Sequence, residues 1–268
     1  MKKLLFIFVA SLAYFSLAQQ PAFAQEPQPT RPPQARTQQE HDDFISAYAI
    51  KSADAAEKAT EDFAARYPDS ELRRYLYSNT MHAYQNENNP AKMLAMGEKI
   101  LALDPDDAQA LVLTATVLAD ALGEGDRDRD RKIDAIRKNA NRAIQKLKAG
   151  VVPGQAAIYA TTLQSMAYSA LGIMKLKTRD DAGAEKDLKT AADLEKARPD
   201  PYIWYHLALA QDHRRKYLAA LASVEQALQL SSSNPELQHM AESEHERLTT
   251  LTSHLKRPAD AGEPEPQQ

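Results

Sequence analysis

The sequence predicts an all-α protein, an α-solenoid of about five stacked helix hairpins followed by a capping helix. Between residues 38 and 256, no strand-like alternation is sustained, and Ala, Leu, Glu, Lys and Gln, which favour helices, dominate. Prolines punctuate this region at intervals of 37, 48, 46 and 36 residues, at Pro68, Pro105, Pro153, Pro199 and Pro235. A period of this size is typical of stacked helix pairs.

Residues 1–24 have the features of a cleavable secretory signal peptide. Lys2 and Lys3 precede an apolar run of roughly 15 residues, and Ala22-Phe23-Ala24 fits a cleavage site. The run is shorter than the ~20 residues that span a bilayer. We therefore expect a periplasmic or secreted protein of bacterial type, cut after Ala24 and without stable membrane insertion. A retained membrane anchor is the alternative.

The charge and the residue composition of the chain limit what it is expected to bind. The full chain has a formal charge of −4, which becomes −6 when the two leader lysines are removed, so nucleic acid is not an expected partner. There is no cysteine, hence no disulfide framework and no thiol for a lipid near the cleavage site. Residues 25–37 and 257–268 are rich in proline and polar residues and are predicted to be a disordered linker and a disordered tail.

The folded part divides into units at about 37–70, 74–107, 108–150, 155–198 and 201–234, with a cap at 235–256. Within a unit, the residues expected at the closest approach of the two helices lie twelve apart. The pairs are Phe44 and Ala56, Met81 and Met93, Gly172 and Ala184, and Ala208 and Ala220.

The third unit departs from this spacing, because Ala115 and Ile136 are twenty-one apart. The nine extra residues fall between Leu122 and Lys132, in the stretch GEGDRDRDRKID (123–134). Three aspartates spaced two apart could begin a calcium loop. Such loops then need a glycine and a later glutamate, where this chain has Arg131 and Arg137. We interpret the stretch as a hydrophilic connection and predict no metal there.

The fifth unit resembles the tetratricopeptide repeat (TPR), with the pattern W-x2-L-G-x2-Y and then A-x3-F. The matching residues are Trp204, Leu207, Ala208, Ala220, Val224 and Ala227. A second match is carried by Tyr168, Leu171, Gly172, Ala184, Leu188 and Ala191. The resemblance implies a right-handed superhelix whose concave groove is lined by the first helix of each pair.

The resemblance also implies which side chains point into the groove. They are Tyr75, Ser78 and His82 in the second unit, Gln109, Val112 and Thr116 in the third, and Tyr202, Tyr205 and Leu209 in the fifth, with His206 facing inward beside the tyrosines. TPR domains that clamp a C-terminal carboxylate carry Lys and Asn at these positions, so we do not expect that activity here.

Sequence motifs of catalysis are missing, including G-x-S-x-G, H-E-x-x-H and a phosphate loop. We predict no enzymatic activity, no cofactor and no metal. The leading hypothesis is an exported TPR adaptor that binds a protein or peptide in its groove. In the first unit, ADAAEKATEDFAARYPDSEL (53–72) has the pattern A-x3-F and then Y-P-x-S. It resembles envelope TPR proteins, which suggests a role in cell-envelope organisation. The alternatives are a structural homo-oligomer built through the array or terminal helix, and a metal or small-molecule binder.

Overall fold

The computed structural model describes residues 34–150, 155–196 and 198–255, which form eleven α-helices and no strand. The predicted signal peptide, most of the linker, Pro153 and the tail lie outside these residues. The helices are α1 (Gln38–Tyr48), α2 (Ala53–Arg66), α3 (Arg73–Asn86), α4 (Pro90–Leu103), α5 (Ala108–Asp120), α6 (Arg129–Ala149), α7 (Gln155–Lys177), α8 (Asp181–Leu194), α9 (Pro201–His213), α10 (Tyr217–Leu230) and α11 (Pro235–Leu255).

Consecutive helices pack in pairs, and each pair packs on the next, so the predicted all-α array of hairpins is confirmed. Helix starts are marked by capping side chains. Asn89 accepts a hydrogen bond from the Lys92 N–H, and Asp107 does the same for Ala110. Proline occupies the first position of α4, α9 and α11, where the missing N–H costs nothing.

The same turn joins the two helices in the second, fourth and fifth units. The middle residue of each three-residue connection is left-handed, with φ of 52° at Asn88, 65° at Arg179 and 59° at Arg215. The N–H of the following residue bonds a carbonyl five residues back, at 2.9 Å in all three turns. This is the Schellman termination of a helix, and its repetition shows that these units share one local structure.

The third unit contains the insertion. Its connection runs from 121 to 128, eight residues in place of three, and α6 begins seven residues before Ile136 instead of the usual three. The nine extra residues are therefore five of loop and four of helix. Arg129 fixes the loop, because its guanidinium donates to the carbonyl oxygens of Gly123 and, at 2.7 Å, of Lys177.

The core is continuous between neighbouring pairs. The largest cluster joins buried side chains of α5, α6, α7, α8 and α9, including Ala115 and Ile136, which are both fully buried. Ala208 and Ala220 share a second cluster with α11. The closest approach within the fourth pair is at Gly172, where an added Cβ would lie 2.5 Å from the Leu188 Cγ.

Helix α7 is longer than the first helices of the other pairs. It begins seventeen residues before Gly172, whereas α9 begins seven before Ala208. The extra length packs along α5 and α6. It leaves Ile158 and Tyr159 about half exposed.

Helix α11 closes the array. Leu237, Ala241 and Leu248 are fully buried, while its exposed side is polar over the described side chains 235–253. A terminal capping helix requires one apolar face that packs on the array and one polar face that is exposed to solvent.

Candidate functional site: a groove between the first helices

A cavity of about 350 Å³ opens between α5, α7 and α9, the first helices of the third, fourth and fifth pairs. Met166, Ile173 and Ile203 provide apolar walls. The polar lining consists of Thr116, Asp120, Ser169, Asp200, Tyr202 and His206. The cavity combines apolar surface with several polar groups, as binding sites generally do.

Two carboxylates lie at the cavity from different helices. Asp120 is the last residue of α5, and Asp200 is the N-cap of α9, where its Oδ1 accepts from the Tyr202 N–H at 2.8 Å. Partial desolvation raises the pKa of Asp120, and Lys177 partly opposes this effect. Desolvation likewise raises the pKa of Asp200. Ionisation of either carboxyl group therefore costs more free energy in the folded protein than in water.

The charge of Lys177 acts on Asp120, but its ammonium group forms its hydrogen bonds elsewhere. Its Nζ donates to the backbone oxygens of Ala119, at 2.9 Å, and Asp120, at 2.6 Å. These carbonyls lie at the C-terminus of α5, where a cation is favourable. Among the described residues, no lysine, arginine or histidine forms an ion pair with the side chain of Asp120 or Asp200.

His206 lies across the cavity as a neutral acceptor. Its Nδ1 is 2.8 Å from the carbonyl oxygen of Tyr202, which can only accept, so Nδ1 carries the proton. Desolvation lowers the pKa of His206; the hydrogen bond to the Tyr202 carbonyl partly opposes this, and the charge of Lys177 adds to the lowering. The ring is therefore neutral near pH 7, and Nε2 has a free lone pair.

The hydroxyl of Thr116 is an unusual feature of the groove. Its Oγ1 is buried, and no hydrogen-bond partner for it exists among the described residues. A buried unsatisfied hydroxyl costs about 1–3 kcal/mol. Such groups are rare in folded proteins, and one that borders a cavity is a candidate contact for a ligand.

Most polar side chains of the N-terminal part of the groove are already paired. The Arg74 guanidinium donates to Asp107 at 2.6 Å and to the Tyr75 hydroxyl at 3.0 Å, and it lies over the Tyr75 ring. His82 and Gln109, two predicted groove residues, are brought together in a hydrogen bond. Ser78 is partly exposed on α3. The unpaired groups thus concentrate in the C-terminal part.

Three further predicted groove residues do not line the cavity. Val112 is fully buried in the main core, because α5 is apolar on nearly all sides and is covered by its neighbours. Tyr205 packs with the α10 and α11 cluster, and Leu209 packs against the main core. Neither lines the cavity. Thr116, Tyr202 and His206 do line it.

The sequence prediction missed the contribution of the fourth unit. Gly172 corresponds to Ala208, so the positions of Tyr202, Tyr205 and Leu209 correspond to Met166, Ser169 and Ile173. All three line the cavity. The spacing that gave the other groove residues would have found them. No sequence pattern marked Asp120 or Asp200 as a cavity residue. Asp120 ends α5 and Asp200 caps α9, and aspartates at helix ends are ordinary.

The loop aspartates are engaged within the loop. Asp126 Oδ2 accepts from the Gly123 N–H at 3.0 Å and from Lys132 Nζ at 2.8 Å, and these bonds lower the pKa of Asp126. Asp128 lies 3.4 Å from the same ammonium, and Asp130 is in the first turn of α6. Within 34–150, 155–196 and 198–255, no three His, Asp or Glu side chains are grouped as metal ligands would be.

The same part of the chain contains no helix that is both long and apolar enough to cross a bilayer.

No family model matches the sequence, and no curated protein matches it. Solved structures are similar to the fold. One is the crystal structure of TTC0263, a thermophilic TPR protein of Thermus thermophilus, with 19% identity, 76% of this chain and 98% of that chain covered, and a TM-score of 0.45. A crystal structure of the MamA protein has 14% identity, with 67% of this chain and 88% of that chain covered and a TM-score of 0.38. A second structure of MamA has 15% identity, with 65% of this chain and 95% of that chain covered and a TM-score of 0.35.

The chain is a TPR-like helical-repeat protein, and we base this description on its own helix pairs. Five hairpins follow one another, three of them joined by the same turn, and the first helices of the last three line one cavity. Proteins of this architecture are scaffolds for protein interactions in general.

Proposed function

We propose that the protein is a non-catalytic adaptor, exported to the periplasm or beyond, that binds a segment of another protein in the groove formed by α5, α7 and α9. The cavity at this place carries the proposal. It combines apolar walls, unpaired acceptors and an exposed aromatic ring, Tyr202, which is 40% exposed. An extended segment can bury apolar area there and supply the missing hydrogen-bond donors.

A protein segment suits the site better than a compact small molecule. The first helices of the preceding pairs continue from α5 toward the N-terminus, so a bound chain could extend past the cavity in that direction. Polar side chains such as His82 and Gln109 lie along the same surface, between α3 and α5. The alternative of a homo-oligomer through α11 has less support, because the apolar stripe of α11 is already buried against its own array.

Export is part of the proposal and rests on the leader sequence. Two lysines, a short apolar run and the Ala22-Phe23-Ala24 triplet are the parts of a signal peptide. Together with the resemblance of the first unit to envelope TPR proteins, they suggest a role in organising the cell envelope. Recovery of the protein only from the cytoplasm of its host would contradict this part.

The groove is tested by pull-down from an envelope fraction with Tyr202→Ala and Ser169→Arg. The first variant removes an exposed ring, and the second adds bulk and positive charge to the cavity wall. We expect each to reduce recovery of the partner by about fivefold or more, because aromatic anchors of an interface contribute ~1–2 kcal/mol or more.

Leu218→Ala is the matched control. Leu218 is 59% exposed on α10 and does not line the cavity, so its truncation should leave recovery unchanged. Circular dichroism of each variant verifies that the helices are intact. Full recovery with both groove variants would show that the partner binds elsewhere.

A further inference from the structure

We propose that the cavity between α5, α7 and α9 is a subsite for a lysine or arginine side chain of the bound segment, with Asp120 and Asp200 as the groups that recognise its charge. This inference rests on the proposed function and names the chemistry of the partner. Four features of the cavity lead to it: its unpaired negative charge, its excess of acceptors, its apolar walls and its size.

The carboxylates of this cavity differ from most others in the fold. Asp107 pairs with Arg74 at 2.6 Å, and Glu185 pairs with Lys216 at 2.9 Å. Asp120 and Asp200 have no such partner among the described residues, and the neighbouring Lys177 gives its hydrogen bonds to backbone carbonyls. A cation between the two carboxylates would provide the missing charge.

The hydrogen-bonding groups of the cavity favour a donor. His206 offers the Nε2 lone pair, because its Nδ1 proton is used by the Tyr202 carbonyl. The carboxylates only accept. A lysine ammonium has three donors and an arginine guanidinium five, and neither accepts. A glutamate or aspartate in the same place would bring a third negative charge beside two existing ones.

The apolar walls match the rest of such a side chain. Met166 and Ile173 come from α7, which packs on both α5 and α9, and Ile203 comes from α9. Lysine and arginine cover apolar surface with their methylene stems while their charged heads reach polar groups. A volume of about 350 Å³ accommodates one such side chain with part of its backbone.

The titration of the two aspartates agrees with this geometry. Desolvation raises the pKa of both carboxyls in the free protein. A bound cation favours the charged form and should lower both pKa values. Carbon-detected NMR of the two carboxyl groups, with and without a lysine peptide, would therefore show their titration moving to lower pH.

The test is a two-dimensional NMR titration of the isotope-labelled purified protein. The probes are short acetylated and amidated alanine-based peptides that differ only in a central lysine, arginine, norleucine or glutamate. We expect the lysine and arginine peptides to shift resonances of the cavity residues and to bind at least about fivefold more tightly than norleucine, with glutamate weakest. The preference should shrink at high salt.

The double variant Asp120→Asn, Asp200→Asn should abolish the preference for lysine over norleucine, and asparagine can still cap α9. Asp134→Asn is the control, since Asp134 is an exposed residue of α6 that pairs with Arg137 at 2.9 Å. Equal binding of lysine and norleucine in the cavity would overturn the inference but leave the groove as a binding surface. An unchanged preference in the double variant, or shifts confined to other surfaces, would also overturn it. The pull-down with Tyr202→Ala decides the proposed function separately.

Discussion

At the scale of single residues, the charges of the groove are costly for the folded protein. Asp120 ends α5, so its carboxylate lies at the negative end of a helix; the residue is exposed, and the surrounding protein desolvates the carboxyl only in part. Both effects disfavour its charged form, and Lys177 only partly offsets them. Binding sites commonly retain such groups because the ligand, when bound, removes the penalty.

Asp120→Asn should therefore stabilise the protein near pH 7, by about 0.5 kcal/mol because the side chain is partly exposed. A carboxyl with a raised folded-state pKa holds its proton more tightly in the folded state. Its destabilising effect is absent below the unfolded pKa of ~4, where it is protonated in both states, and grows as the pH rises through the folded pKa. Urea unfolding at pH 7 and at pH 4 measures the difference.

Asp134→Asn should bring no comparable gain, because Asp134 is exposed near the start of α6 and pairs with Arg137. A loss of stability in Asp120→Asn at pH 7, or a gain that is equally large at pH 4, would show that the carboxylate is not penalised as described.

Single groove residues were predicted only in part, for physical reasons. Thr116, Tyr202 and His206 lie at the cavity, because the helical spacing of the first helices is regular. Val112 has that spacing too, but α5 is covered on nearly every side, and spacing alone does not show how many neighbours a helix has. Asp120 and Asp200 line one cavity only because α5 and α9 both pack on α7, which no local pattern encodes.

At the scale of helices, a repeat depends on where the two members of a pair come closest. In the fourth pair this place is Gly172, which faces the fully buried Leu188. The twelve-residue spacing predicted the helix pairs other than the third, and Pro68, Pro105 and Pro199 lie in connections between helices. The fourth unit was predicted to begin at about residue 155, where α7 begins, and residues 155–171 lack a glycine or proline that would divide this long helix.

Gly172→Ala should destabilise the protein by about 1–3 kcal/mol, although alanine normally favours a helix. The added methyl would lie 2.5 Å from the Leu188 Cγ, so either the side chain or the helix must move. Thermal unfolding followed by circular dichroism measures the change in Tm.

Gly125→Ala is the matched control, because an added Cβ at Gly125 meets nothing within 4 Å. We expect its Tm to match that of the unchanged protein. A Gly172→Ala variant as stable as the control would mean that α7 and α8 do not approach as closely as the structure shows.

At the scale of the whole molecule, the repeats produce a surface that no single pair could form. The cavity needs α5, α7 and α9 together, so it is a property of three consecutive units. The two ends of the groove differ: Asp107 pairs with Arg74 near the N-terminal end, whereas desolvation raises the pKa of Asp200, which has no ion pair among the described residues, near the C-terminal end. On our proposal, a partner is therefore recognised at the third to fifth units.

The most direct test of the central claim is site-specific photo-crosslinking in the cells that produce the protein. A photoreactive phenylalanine analogue replaces Tyr202 in the groove or, as the control, Leu218 on the exposed face of α10. Our account predicts a defined crosslinked protein from position 202 and none from position 218. Crosslinking of the same partner from position 218 but not from 202 would contradict it.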